Sequence, residues 1–407
     1  MKILERFLNY VKVYTTSEES SETSPSTKRQ FDLANILKDE MIAIGFQNVQ
    51  ISEYGNTYGM IPASEGFENS DAIGLMAHID TAPDCSGENV RPQIIPNYDG
   101  KDVELGTSGR RLTAEEFPEL PSLKGRTLIT TDGTTLLGAD DKAGVAEIMT
   151  ACETVIREKI PHGPIYVVFT TDEEIGRGAD HIDQSLFKAK YAYTADGGPE
   201  NELSYENFNA ASAKIEIEGF NVHPGTAKNV MRNASLIAME INGLLPGAEI
   251  PSHTENYEGF YHLCEMSGTV EKASLVYILR DHDAELLRAK KETMTHIIKF
   301  INEKYGEGTA SLVIKDSYQN MAEIIKKNFF LIDRASDSMK EAGLEPMIIP
   351  VRGGTDGARL SFDGIPCPNI GTGGYAYHGP YEHITLEGMD ADTRVILGII
   401  RRFATNK

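Results

Sequence analysis

The first half of the chain alternates between short apolar runs and longer stretches in which apolar residues recur at helical spacing. Residues 73–79 and 165–169 are apolar runs of the length expected for buried strands. In residues 28–46 and 143–158, apolar side chains repeat at intervals of three and four, and Gly45 stands where the first helix would end. This alternation predicts an α/β fold with a mainly parallel sheet flanked by helices.

The segment 84–137 interrupts this alternation. It is long and rich in proline, glycine and charged residues. Within it, Asp132-Gly133 stands between the apolar pairs 128–129 and 136–137, a combination that predicts a β-hairpin. We therefore interpret 84–137 as an excursion from the main sheet.

Near residue 207 the pattern changes to one typical of an antiparallel sheet with a solvated face. From Ala213 to Glu218, apolar and charged residues alternate. The elements that follow are predicted as a helix over 230–245, strands over 257–264 and 275–279, a helix over 284–305 and a strand over 311–314. The order βαββαβ predicts a ferredoxin-like α+β domain over 208–316.

The earlier pattern returns after this domain. We expect a long helix from about Ser317 to Ala342, an apolar run over 347–351, a glycine-rich loop and a final helix that ends near Ala404. Residues 1–207 and 317–407 are therefore predicted to form one α/β domain into which 208–316 is inserted.

The charge of the chain excludes some classes of partner. Its 407 residues include 61 acidic and 39 basic side chains, for a formal net charge of -22. Nonspecific binding to nucleic acid or to anionic membranes depends on lysine and arginine, so we expect neither partner. Metal cations suit an acidic chain.

Features that would indicate export or membrane insertion are lacking. The first residues mix charged and apolar side chains, unlike a signal peptide, and no apolar stretch is long enough to span a bilayer. The cysteines form no CxxC pair and lie far apart, at Cys85, Cys152, Cys264 and Cys367. We therefore expect reduced thiols and a cytoplasmic location.

Side chains that can bind metals follow the predicted strands. These residues are His78, Asp80, Asp140, Asp141, Glu173, Glu174, Asp196 and His378. Open parallel sheets bind ligands at the carboxyl ends of their strands. Imidazoles and carboxylates without a thiolate are typical of a catalytic zinc, cobalt or manganese site. His78 and Asp80 would point to the same side of a strand, where Asp80 could orient the imidazole.

Glu173 and Glu174 are adjacent carboxylates after the run 165–169. One of them could bind a metal while the other moves a proton. An isolated acidic pair in so acidic a chain would instead be a solvated turn. The other strand-end clusters favour the catalytic interpretation.

Five motifs together resemble those of the dinuclear zinc peptidase family that includes aminoacylases and glutamate carboxypeptidases. They are HIDTAPD from His78, LGADDKAG from Leu137, TDEEIGRG from Thr171, VHPGTAK from Val222 and RGGTDG from Arg352. The resemblance covers nearly the whole chain in order. It implies a fold of the zinc exopeptidase type, in which the inserted domain serves as a lid and dimerisation domain.

The resemblance also implies the site residues. Zinc ligands would be His78, Asp140 and Asp196 for one ion and Asp140, Glu174 and His378 for the other, with Asp140 bridging the two. Glu173 would be the base that activates a water between the two Zn²⁺ ions, for which Co²⁺ or Mn²⁺ could substitute. Asp80 would orient His78, and the peptide bond between Asp140 and Asp141 would be cis. His383 offers a second imidazole near His378, so it is an alternative ligand.

Three residues are expected to contact substrate. By the resemblance, His223 would reach into the site of a partner subunit in a homodimer and stabilise the oxyanion. Arg280 and Arg352 would bind the C-terminal carboxylate of a short peptide, because arginine suits bidentate carboxylate binding. The alternatives are a surface histidine and two salt-bridged arginines.

The expected activity is removal of the N-terminal residue from tripeptides. A dipeptidase, a carboxypeptidase or an N-acyl amino acid hydrolase would use the same ligands and base, so these remain alternatives. A noncatalytic peptide-binding protein is a further one, although it would have no use for Glu173.

Overall fold

In a computed structural model of the protein, which describes residues 1–404, the chain divides into two compact units. The first comprises Met1–Tyr205, Glu323–Ile349 and the described residues from Thr355 onward. The second comprises Glu206–Ala322 and Pro350–Gly354. It is thus longer than the predicted insertion 208–316 and takes up residues 350–354, which the sequence assigned to the other domain.

The segment Pro350–Gly354 joins the second unit through hydrogen bonds. The N–H of Val351 donates to the carbonyl of Glu206 at 2.8 Å, and the guanidinium of Arg352 donates to the carbonyl of Asn256 at 2.7 Å. The predicted apolar run 347–351 is therefore divided between the two units.

The first unit contains a mixed eight-stranded sheet. Its strands lie in the order Gln47–Ile51, Thr57–Ile61, Ile165–Thr170, Ile73–His78, Tyr191–Ala195, Asn369–Ile370, Glu202–Ser204 and Met347–Ile348. From Ile165–Thr170 to Asn369–Ile370, neighbouring strands are parallel. Antiparallel pairs flank this parallel centre, and the pair Glu202–Ser204 with Met347–Ile348 at one edge is parallel again. The sheet is therefore mixed, with a parallel centre as predicted.

The helices that contact this sheet include Gln30–Ile44, Ala139–Glu158, Phe330–Glu341 and Asp356–Phe362. Helices Ile3–Tyr10 and Leu386–Phe403 pack on Ala139–Glu158. The strand Ile73–His78 is buried along its whole length, and Ala139–Glu158 packs against it. Gly45 ends the second helix with φ 111°, a left-handed conformation that favours glycine. None of the helices in residues 1–404 has the combined length and apolarity that a bilayer span requires.

The predicted hairpin around Asp132-Gly133 is wrong. A local turn does form, in which the N–H of Thr134 donates to Oδ1 of Asp132 at 2.9 Å. The strand before it, Leu128–Thr130, pairs instead with Gln93–Ile95 and His383–Thr385 in a separate four-stranded sheet that Gly374–Tyr375 completes. A two-stranded sheet of Val103–Leu105 and Arg110–Leu112 lies in the same segment.

The second unit is built on a four-stranded antiparallel sheet. The strand order is Phe260–Gly268, Lys272–Asp281, Asn209–Glu218 and Ala310–Tyr318. Helices Ala234–Leu244 and Ala284–Tyr305 pack on it, and the elements follow one another along the chain as βαββαβ. Alternate residues of Asn209–Glu218 are buried from Ala211 onward, because only one face of the sheet carries helices.

The long helix expected from Ser317 is wrong. The strand Ala310–Tyr318 extends past the predicted end at 314, since it stays paired with Asn209–Glu218. Two separate helices follow, Ala322–Lys326 and Phe330–Glu341.

Candidate metal centre

Three of the predicted site segments follow neighbouring parallel strands. His78 ends the strand Ile73–His78, Asp196 follows Tyr191–Ala195, and Glu173-Glu174 follow Ile165–Thr170. Because parallel strands end at one edge of the sheet, these side chains meet there.

Asp140 and His378 reach the site by other routes than the ends of predicted strands. Asp140 stands at the start of the helix Ala139–Glu158, with φ -83° and ψ 106°. Its peptide bond to Asp141 is cis, as the resemblance implied. His378 lies between the short strands Gly374–Tyr375 and His383–Thr385, with φ 61°.

His78 faces two carboxylates. Its Nε2 lies 3.0 Å from Oδ1 of Asp140 and 3.6 Å from Oδ1 of Asp196. Burial alone would lower the pKa of His78, but hydrogen bonds to Asp140, Asp196 and Asp80 raise it well above its ordinary value. These groups form one half of a candidate metal site.

Asp140 connects this half to a second one. Its Oδ2 lies 3.2 Å from Nε2 of His378, which is also 3.0 Å from Oε2 of Glu174. Burial opposes ionisation of Asp140, yet hydrogen bonds from His378 and His78 hold its pKa below the ordinary value. One carboxylate thus lies between two imidazoles, as a bridging ligand would.

The donors fit divalent cations. The combinations His78, Asp140 and Glu174, and His78, Asp141 and Asp196, each bring their ligand atoms within 4.8 Å of one another. Within the described residues, Oε1 of Glu174 is buried without a hydrogen-bond partner. Burial and the charge of Asp140 raise the pKa of Glu174 to about 7. A cation would satisfy the unpartnered oxygen and relieve the repulsion between carboxylates.

Asp141 follows Asp140 in the chain, and the sequence analysis gave it no specific role. Its Oδ2 accepts the backbone N–H of His78 at 3.1 Å, and its Oδ1 accepts that of Gly144 at 3.3 Å. Both oxygens are therefore used by the backbone, and Asp141 ties the end of a strand to the start of a helix. Asp140 is better placed to bind a metal.

Glu173 and Glu174 face different groups. Burial, followed by the charge of Asp196, raises the pKa of Glu173 well above its ordinary value, whereas Glu174 lies beside Asp140 and His378. Their turn begins after Asp172, whose φ of 61° is left-handed. The Asp172 carboxylate accepts hydrogen bonds from Ser26, through its N–H and hydroxyl, and from Gln30, at 2.5 to 2.6 Å.

Asp80 supports both halves of this arrangement. Its Oδ1 lies 3.3 Å from Nδ1 of His78, on the side of the ring away from Asp140. The same carboxylate accepts the N–H of Glu173 at 3.0 Å and that of Glu174 at 3.2 Å. Asp80 is fully buried. The sequence suggested only its contact with His78.

Three further carboxylates were missed. Asp84 lies 3.7 Å from Nδ1 of His378, and Asp356 accepts the hydroxyl of Thr170 at 2.8 Å. Glu382 accepts backbone N–H groups before and at Asp140. Asp84 and Asp356 belong to the motifs HIDTAPD and RGGTDG, which offered a signal, whereas nothing in the sequence singled out Glu382.

His383 lies away from the cluster. Its ring stacks on Tyr375 with centroids 5.3 Å apart, and Nε2 lies 3.5 Å from Oε1 of Glu119. It belongs to the strand that pairs with Leu128–Thr130. His378 is therefore the imidazole that faces Asp140 and Glu174.

The predicted substrate-binding residues all lie in the second unit. His223 is exposed, and its Nδ1 accepts the N–H of Gly225 at 3.1 Å. Arg280 stacks on Tyr318 at 4.6 Å and keeps Nη1 buried without a partner among the described residues, and burial lowers its pKa to about 10. Both Nη atoms of Arg352 already donate to the loop of residues 254–258.

Comparison with known proteins identifies the class. The family model described as Peptidase family M20/M25/M40 matches residues 132–402. The chain belongs to this family of hydrolytic metallopeptidases.

Within this family, the chain is similar to proteins named peptidase T. Peptidase T of Clostridium perfringens is 53% identical over 404 residues, or 99% of each chain, and that of Escherichia coli is 50% identical over 411 residues, or 100% of each. A tripeptidase structure from Staphylococcus aureus has a TM-score of 0.78 and 23% identity over 99% of this chain and 98% of its own. The last comparison shows the fold. The first two show that the chain is similar to peptidase T over essentially its whole length.

Proposed function

We propose that this protein removes the N-terminal residue from tripeptides with the help of two divalent metal ions, and that the ions are zinc. The observation that carries the proposal is identity of at least 50% with peptidase T over essentially the whole chain. The placement of Asp140 between two imidazoles supports a dinuclear site.

The proposed ligands fall into two sets that share Asp140. His78, Asp140 and Asp196 would hold one ion, and Asp140, Glu174 and His378 the other. Bound ions would polarise the scissile carbonyl and lower the pKa of a coordinated water toward roughly 7.

Glu173 would be the general base. Its carboxylate would take the proton of the attacking water and pass it to the leaving amine. Two features support this role: Glu173 is adjacent to the proposed ligand Glu174, and burial together with the charge of Asp196 raises its pKa well above the ordinary value. Asp80 would keep His78 in the tautomer whose Nε2 is free for metal.

Substrate contacts would come from the second unit. We assign the C-terminal carboxylate of the tripeptide first to Arg280, because its unpartnered Nη1 can donate a hydrogen bond. Arg352 would have to give up hydrogen bonds to its own loop to do the same. His223, which is exposed, would donate to the oxyanion in the site of a partner subunit.

The homodimer is also a proposal. The helix Ala234–Leu244 exposes 62% of Leu236 and 61% of Met239, which lie one turn apart. Apolar side chains in this arrangement suit a symmetric contact between two copies of the second unit. A lid role for that unit and a cytoplasmic location remain predictions.

Product analysis separates the proposed function from its rivals. Purified protein, with its metal content measured, would be incubated with a free tripeptide, its N-acetylated form and its C-terminally amidated form. We expect about two zinc ions per chain and release of the first residue from the free tripeptide, with little hydrolysis of the acetylated form. Release of the last residue would indicate a carboxypeptidase, and preference for the acetylated form an N-acyl hydrolase. Peptide binding without hydrolysis by the metal-loaded protein would revive the binding-protein alternative.

A further inference from the structure

The carboxylate of Glu382 accepts three backbone N–H groups from the segment that carries Asp140. Oε2 accepts the N–H of Leu137 at 2.6 Å and that of Gly138 at 2.8 Å. Oε1 accepts the N–H of Asp140 itself at 3.0 Å. Both oxygens are therefore engaged, and Glu382 is only 1% exposed.

Glu382 also belongs to the segment that carries His378. Its own N–H donates to the carbonyl of Gly379 at 3.3 Å, which closes a turn just after His378. The next residue begins the strand His383–Thr385, which is paired on both sides. The backbone of Glu382 is thus fixed by the strand that follows it, and its carboxylate binds the Asp140 segment.

Electrostatics explain why a carboxylate is needed here. A buried negative charge is costly unless it is hydrogen-bonded, and the charge of Asp140 adds repulsion. The three N–H donors offset part of this cost. Glutamine would present an NH₂ group to at least one of the N–H donors, which would lose its acceptor.

We infer that Glu382 is a positioning residue that fixes the Asp140 segment against the His378 segment and thereby sets the affinity of the metal pair. Its side chain accepts hydrogen bonds from backbone N–H groups of the Asp140 segment, so it acts through the backbone. The inference rests on the proposed function, because it assumes that Asp140 and His378 are metal ligands.

The test compares Glu382→Gln with Glu147→Gln. Glu147 is also fully buried, lies in the same helix Ala139–Glu158 as Asp140, and its side chain makes no hydrogen bond among the described residues. Zinc affinity would be measured by chelator competition, and amide hydrogen exchange would be followed in the metal-free protein for peptides covering 136–142. We expect Glu382→Gln to weaken zinc binding roughly 10- to 100-fold, to speed exchange in that segment and to lower kcat while KM stays nearly constant. Glu147→Gln should change none of these.

Glu382→Asp provides a second variant in case Glu382→Gln does not fold. It keeps the charge but is about 1.5 Å shorter, so it cannot reach all three donors. Its zinc affinity should lie between those of the wild type and Glu382→Gln. Wild-type zinc affinity and exchange in whichever of the two variants folds would overturn the inference.

Failure of the proposed function would look different. If the wild type binds zinc but cleaves no tripeptide, the proposed activity is wrong, while affinity and exchange still test Glu382. If the wild type is active and Glu382→Gln matches it in every measurement, only the inference about Glu382 is wrong.

Discussion

The two units place their candidate residues differently. In the first unit, side chains from five separate segments meet around Asp140 and His78. In the second, His223 caps a turn, Arg280 lies on Tyr318, and Arg352 is bound to its own loop. Candidate residues form a site only when their side chains meet in one place. Those of the first unit do so, whereas those of the second unit do not meet one another.

Sheet topology accounts for this contrast. The parallel strands of the first unit end at one edge, so a polar residue after each strand is delivered to the same place. The antiparallel strands of the second unit alternate in direction, and their solvated face distributes polar side chains over its surface. The following predictions test the contrast, beginning with the largest expected effect.

Glu173→Gln should abolish most turnover but leave metal content unchanged. The amide cannot accept the proton, and general acid–base catalysis contributes roughly 10²- to 10⁴-fold. Steady-state kinetics and metal analysis would be compared with Glu147→Gln, a buried acid of the same unit that should retain activity. Full activity of Glu173→Gln would show that Glu173 is not the general base.

His223→Ala should lower kcat roughly 10²- to 10³-fold without loss of metal, if its imidazole donates to the oxyanion. His296→Ala is the matched control, because His296 is another exposed histidine of the second unit. An unchanged rate for His223→Ala would leave that residue as a turn cap only.

Arg280→Ala should lower kcat/KM for a free tripeptide roughly 10- to 100-fold, because a hydrogen bond to a charged group is lost. The same variant should no longer distinguish a free from an amidated C-terminus, whereas the exposed-arginine control Arg288→Ala should still do so. A preserved preference for the free carboxylate in Arg280→Ala would point to Arg352 instead.

The smallest expected effect concerns two buried acids outside the candidate metal site. Glu147 and Asp392 are fully buried and, among the described residues, make no side-chain hydrogen bonds. Burial raises both pKa values well above ordinary values, with added repulsion from Asp392 on Glu147 and from Glu200 on Asp392. Between the ordinary and the folded pKa the folded state holds more protons, so stability must fall as pH rises. Glu147→Gln should reduce this slope by at most about 1.4 kcal/mol per pH unit. Equal slopes in urea unfolding of variant and wild type would contradict the pKa assignment.

The sequence predicted what depends on local pattern. Helix Gln30–Ile44, strand Ile73–His78 and the alternation in Asn209–Glu218 follow from spacing of apolar residues, and the structure contains all three. The hairpin at Asp132-Gly133 failed because strand partners are chosen by the whole sheet, here by His383–Thr385 far along the chain.

Local pattern also predicted part of the candidate site. His78, Glu173, Glu174 and Asp196 could be found because each ends or follows a strand of the parallel centre. Asp140 and His378 were expected after predicted strands, but the structure delivers them from a helix start and a loop, so only the resemblance identified them as candidate ligands. The hydrogen bonds of Glu382 to the backbone could not be foreseen, because backbone N–H groups leave no mark in the sequence.

Asp80 has a further consequence for any attempt to redesign this protein. Its single carboxylate receives His78 and the backbone of both Glu173 and Glu174. A substitution there would disturb a proposed ligand of each metal ion and the proposed base together, so no experiment at Asp80 could assign a defect to one of them. Metal preference and proton transfer can be altered separately only at the residues that Asp80 holds in place, such as Glu174 and Glu173. Position 80 itself should therefore stay unchanged.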